Sequence, residues 1–193
     1  MIEPSPGRAG DWFLTFSGVE FWPIDPRPEE VNLQDVAHGL SRICRFGGHC
    51  RDWYSVAQHS VMVSEIVPPE LALHGLFHDA EEAYTGDLIR PLKIGLREVT
   101  GEWDKIADRV SAAIAARFGL RDLTDAEWGA IKSADNRALS TERRDLVRPA
   151  RREWRVSKSH PPLARRIVPV ERDEAERLFL ARFAELRPAG PSK

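Results

Sequence analysis

The chain has 193 residues, 42% of them hydrophobic, which is enough for one domain with a sizeable core and too few for two. Its formal net charge of −2 gives no global pull toward nucleic acid or a membrane surface, and no stretch approaches eighteen uninterrupted apolar residues. Two cysteines, Cys44 and Cys50, cannot build a disulfide framework, and their spacing without a second pair argues against a structural zinc site. With reduced thiols and no export signal at the N-terminus, a cytoplasmic protein with no membrane partner is expected, and nucleic acid is not favoured.

Residues 1–10 are rich in Pro and Gly and are expected to be loose. The aromatic runs at 12–16 and 19–22, separated by Ser17-Gly18, predict a small hairpin, and the hairpin and its lead-in occupy about 11–31. Asn32 predicts the cap of a helix to about Cys44, with Arg42, Arg45 and Phe46 on its last turn and Gly47-Gly48 as its stop. A guanidinium there can grip phosphate with paired hydrogen bonds, and an aromatic ring beside it can stack on a base. A C-terminal arginine favoured by the helix dipole and a core Phe explain the same residues equally well.

A second helix is expected over 54–66, carrying His59 and broken by Pro68-Pro69. A third, from Glu70 to about Tyr84, is apolar up to Phe77 and then delivers His78, Asp79, Glu81 and Glu82. Burying several ionisable groups costs several kcal/mol (~1–5) unless they are paired or bind a metal. His74 and His78 stand at i and i+4 and could bind one metal as a pair, a reading that leaves Asp79 unemployed. Glu82 lies one turn from His78 and can share its cavity, whereas Glu81 points about a hundred degrees away and is left out.

Further helices are expected over 103–118, stopped by Gly119, and from a capping box at Thr124–Glu127 through Lys132 and Asp135 to Leu146. Residues 148–169 read as irregular, and nine Lys or Arg against two acids between Arg143 and Arg166 read as a solvated face. A last helix spans 171–186, and 188–193 form a tail. No repeat or linker marks a boundary, so residues 1–193 are expected to form a single domain.

The ordered set His59, His78-Asp79, Asp135 resembles the HD-domain metal-dependent phosphohydrolases. The run His78-Asp79-Ala80-Glu81-Glu82, Thr85-Gly86-Asp87, Pro91-Leu92-Lys93 is similar to the small bacterial and phage branch that removes phosphate from deoxyribonucleotides. The likeness covers about 33–146. It implies an all-α HD-domain helical bundle with the small N-terminal β-hairpin added. Metal ligation by His59, His78, Asp79 and Asp135 is implied, with Glu82 as the catalytic acidic residue. Arg45, Phe46, Asp87, Lys93 and Lys132 would contact substrate. Such a mixed ligand set suits a divalent ion such as Co, Mn, Fe, Ni, Zn or Mg. The expected partner is a nucleotide, a deoxyribonucleoside monophosphate ahead of a triphosphate whose longer chain would call on extra cations such as Arg42 and Arg144, and a homo-oligomer is expected. A nucleotide sensor without turnover and a closed structural metal site are the competing readings.

Overall fold

The computed structural model describes residues 7–187, so the first six residues and the tail expected at 188–193 lie outside the described residues. The molecule is mostly helical, with one two-stranded antiparallel hairpin, β1 (Phe13–Leu14) and β2 (Glu20–Phe21), in which Phe13 faces Phe21 and Leu14 faces Glu20. Nine α-helices follow among the described residues. They are α1 (Leu33–Arg42), α2 (Val56–Ile66), α3 (Ala72–Phe77), α4 (Glu82–Thr85) and α5 (Arg90–Val99), then α6 (Glu102–Phe118), α7 (Asp125–Leu146), α8 (Val156–Ser159) and α9 (Arg172–Leu186). None is long and apolar enough to cross a membrane.

Local signals set most helix ends. Asn32 caps α1 by accepting from the Gln34 N–H, Ser55 caps α2 from Gln58, and Thr124 and Glu127 close a reciprocal capping box on α7. Gly119 ends α6 in the left-handed conformation, as its position after Phe118 predicts. The centre of the molecule is α2, which packs against α1, α3, α7 and α9. One apolar cluster joins α1, α3, α6 and α9 around Leu40, Leu76, Ile114 and Phe179. A second joins α2 to α7 around Tyr54, Val63, Ile131 and Leu146. Both clusters meet on α2, so a polar side chain projecting from its middle is buried on every side.

Two glycines permit close helix contacts. A Cβ on Gly39 of α1 would lie 3.0 Å from the backbone oxygen of Ala83, and one on Gly75 of α3 would lie 3.0 Å from Val67 and 3.2 Å from the Cα of Ser64. Backbone therefore packs on backbone beside the His78-Asp79 segment. The hairpin is seated by Asp35 on α1, which accepts from the Ser17 N–H and hydroxyl at 2.7 Å each, and by Phe21, which stacks on Tyr84.

Three expectations need correction, and one helix was not expected. The helix expected over 70–84 is broken: a 3-10 turn at Pro69–Leu71 precedes α3, and turns closed by i→i−3 bonds separate Phe77 from α4. The His78 ring takes the Gly75 carbonyl at 2.9 Å, and the chain tightens there. Arg45 and Phe46 are not on the last turn of α1, which ends at Arg42. After a bridge between Cys44 and Ser55 they form a separate turn in which Phe46 is left-handed, with φ 56°. An unanticipated helix, α5, follows Asp87 and carries Lys93. The start of the chain is tied down from residue 8, where Arg8 pairs with Asp25 and Glu30 and covers the ring of Trp22.

Candidate metal centre

The Ser55 cap starts α2 so that His59 falls one turn in, where it is fully buried. Its Nδ1–H donates to the Glu142 carboxylate at 2.6 Å, and the His78 Nδ1–H donates to the Gly75 carbonyl at 2.9 Å. The carbonyl can only accept, and Glu142 is ionised because Arg45 and His59 outweigh its burial and hold its carboxyl below the usual range. Both hydrogens are thereby assigned to Nδ1. The two Nε2 atoms then face each other at 3.2 Å. Two lone pairs at that separation repel unless a proton or a cation stands with them.

Carboxylates complete the cluster. Asp79 Oδ2 lies 3.2 Å from His78 Nε2 and 3.5 Å from His59 Nε2, and Asp135 Oδ1 lies 3.4 Å from His59 Nε2. Neighbouring ligands of one first-row cation, with bonds of about 2.1 Å at right angles, stand about 3 Å apart. The donor atoms fit that spacing. His59, His78 and Asp79 present ligand atoms within 4.8 Å of one another. Asp135 approaches through His59 but stands outside that set, its Oδ2 held by Lys132 at 2.5 Å.

Electrostatics point the same way. Burial opposes charge on Asp79 and Asp135, yet the imidazoles of His78 and His59 hold both carboxyls well below their ordinary range. Burial and then Arg45 oppose charge on His59, and the carboxylates of Glu142, Asp135 and Asp79 outweigh them, lifting the imidazole well above its usual range. In the absence of a cation, a proton on His59 relieves the repulsion between the two Nε2 atoms.

Glu82 is 2% exposed. Its Oε1 accepts from Lys93 Nζ at 2.6 Å, and its buried Oε2 has no hydrogen-bond partner among the described residues. Burial, then the charges of Asp79 and Asp87, push its carboxyl well above the carboxylate range. Glu81, left out on helical geometry, lies with Asp79 and Glu82 in a second acidic group within 4.8 Å. The tight turns after Phe77 rotate it back toward the cavity, and burial followed by the Asp79 charge pushes it up to about 7.

Of the remaining expected residues, Arg45 and Asp87 have largely buried side chains, and Arg45 stands among the acids of the cluster. It lies 3.3 Å from Glu142 and 3.7 Å from both Asp79 and Asp87. Phe46 sits beside Trp154, with ring centroids 6.1 Å apart. The alternative pair at His74 and His78 does not form, because His74 Nε2 turns to the Arg121 carbonyl. Arg42 is paired with Asp173 and Glu176 of α9, and Arg144 with Asp145 and the carbonyls of Leu163 and Arg165, so neither extends the cation set around the site. In the sequence Glu142 is simply one position of the helix expected to run to Leu146. Its position seven residues after Asp135 on α7, two turns along the same face, was the available signal.

No family model matches the chain. It is 35% identical over 173 residues to the uncharacterized protein YfdR of Escherichia coli (strain K12), covering 89% of this chain and 93% of that protein. It is 34% identical over 146 residues to the uncharacterized protein RCAP_rcc00048 of Rhodobacter capsulatus, covering 70% of this chain and 73% of that one. An identity of this extent means a shared fold, and the chain belongs to the family that contains YfdR and RCAP_rcc00048.

Proposed function

We propose that the chain is a metal-dependent phosphohydrolase of the HD-domain type that removes phosphate from nucleotides, with deoxyribonucleoside monophosphates as its substrates. The observation that carries the reading is the facing of two Nε2 atoms at 3.2 Å with Asp79 and Asp135 oxygens at 3.2–3.5 Å, since this donor set suits a divalent ion such as Mn, Co, Fe, Ni, Zn or Mg. A cation there would polarise a phosphoryl oxygen and make a water nucleophilic near neutral pH.

The other residues have tasks that follow from their positions. Arg45 and Lys93 present cations on the acidic side of the cluster, where phosphate oxygens would replace the carboxylates that hold them. Lys132, beside Asp135 and largely exposed, can meet phosphate from the solvent side. The Oε2 of Glu82, without a hydrogen-bond partner among the described residues, is positioned to take or return a proton, and burial with the charges of Asp79 and Asp87 raises its carboxyl toward the form that holds one. Phe46 offers a ring to a base and Asp87 an acceptor to a sugar hydroxyl. Because Arg42 and Arg144 are committed to other acids, the cations near the site match one phosphate better than three.

The test is a screen of Mn²⁺-loaded protein against deoxy- and ribonucleoside mono- and triphosphates and a sugar phosphate, with identification of the released product. Preferred release of inorganic phosphate from deoxyribonucleoside monophosphates supports the proposal. Equal kcat/KM for the sugar phosphate would reduce it to a general phosphohydrolase, release of triphosphate in one step would select a triphosphohydrolase, and nucleotide binding without turnover would select a sensor.

A further inference from the structure

We infer that Glu142 is the positioning residue of the centre, orienting His59 toward the cation and anchoring Arg45 beside it, an inference that rests on the metal-dependent reading above. Its side chain has no solvent exposure, and its two oxygens have different partners: Oε1 accepts from His59 Nδ1–H at 2.6 Å and Oε2 from Arg45 at 3.3 Å. A buried carboxylate costs several kcal/mol (~1–5) unless its oxygens are satisfied, and here each binds a residue that faces the cluster.

The orienting role follows from the ring. An imidazole whose Nδ1 lacks an acceptor can carry its hydrogen on Nε2 or turn about its side-chain bonds, and either removes the lone pair that faces His78. Glu142 prevents both. His59 is on α2, whereas Glu142 and Asp135 are seven residues apart on α7, so the same contact also fixes the distance between the two helices that supply ligands. Outer partners of this kind usually change metal affinity about 10- to 100-fold when removed.

Arg45 gives the contact a second consequence. It stands 3.7 Å from both Asp79 and Asp87, and Glu142 is the nearest of its three acids. One carboxylate thus ties a cation ligand to the guanidinium closest to the centre.

The experiment compares Mn²⁺ affinity of the metal-free wild type with Glu142→Gln and Glu142→Ala, and follows the downfield Nδ1–H proton resonance of His59 in the Zn²⁺-loaded proteins. A glutamine oxygen can still accept from Nδ1–H, so Glu142→Gln is expected to keep the resonance and to bind Mn²⁺ within about threefold of wild type. Glu142→Ala is expected to lose the resonance and about 10- to 100-fold in affinity. If Glu142→Ala does not fold, Glu142→Met keeps the volume without the acceptor and carries the same readouts. Wild-type affinity in the variants without an acceptor, or a Gln variant that falls as far as they do, overturns the inference. A wild type that binds no Mn²⁺ overturns the proposed function itself.

Discussion

Lys93 Nζ lies 2.6 Å from Glu82 Oε1, so the cation expected to meet phosphate is held by the acid expected to move the proton. The lysine side chain is 32% exposed and the glutamate 2%, which leaves Lys93 able to turn toward an arriving anion while Glu82 stays in place. Glu82→Gln is expected to retain the metal and lose roughly 10²-fold or more in kcat. Lys93→Met should raise KM for a nucleotide by roughly 10-fold, the worth of one charge-assisted hydrogen bond. Steady-state kinetics on metal-loaded variants check both, and a Glu82→Gln enzyme turning over like wild type would remove Glu82 from the mechanism.

Metal affinity should depend on pH with a definite sign. His59 has its pKa raised, against burial and Arg45, by three carboxylates, so below its folded value the ring carries a proton that a cation must displace. Mn²⁺ affinity therefore climbs as pH rises through that range and levels off above it. Titrations run upward from the ordinary imidazole range should show the climb, and a flat profile would mean that His59 is not a ligand. Asp79→Ala should lose binding and turnover together.

Acid stability should trace in part to a residue outside the centre, in addition to the depressed carboxyls of Asp79, Asp135 and Glu142. Asp145 is held well below the carboxylate range by hydrogen bonds from Arg144, which outweigh burial, and then from the Ile167 N–H and Arg166. A depressed folded pKa contributes stability that is present above the unfolded value and is lost as pH falls through the folded one. Asp145→Asn should make the acid limb of a melting-temperature series shallower, and an unchanged limb would assign acid unfolding to Asp79, Asp135 and Glu142.

Packing beside the cluster can be tested at Gly39, where a Cβ would meet the Ala83 backbone, which cannot give way as a side-chain tip can. Gly39→Val is expected to cost about 1–3 kcal/mol by overpacking, read from denaturant unfolding. A neutral substitution would show that α1 and α4 can separate.

Much of this was legible in the sequence because the signals were local. Asn32, Ser55, the Thr124–Glu127 box and Gly119 each act within one helical turn, and the structure honours them. The approach of His59, His78, Asp79 and Asp135 was implied by the resemblance of their order to the HD-domain phosphohydrolases, not by any local signal. The break at His78 was not legible, since it depends on a side chain taking the Gly75 carbonyl within an otherwise helical pattern. Glu81 was misjudged for the same reason, because a straight helix turns it away and the tightened turns bring it back. Glu142 escaped because its partners are 83 and 97 residues distant, a pairing visible only when α2 and α7 meet.

In the proposed mechanism His59, His78, Asp79 and Asp135 bind one divalent cation that turnover requires. The most direct test is titration of metal-stripped protein with Mn²⁺, with phosphate release from a deoxyribonucleoside monophosphate followed in the same samples. One ion bound per chain, with activity rising in step with occupancy and both lost in Asp79→Ala, is the predicted result. Full activity in the stripped protein, or no Mn²⁺ bound by a folded wild type, would contradict it.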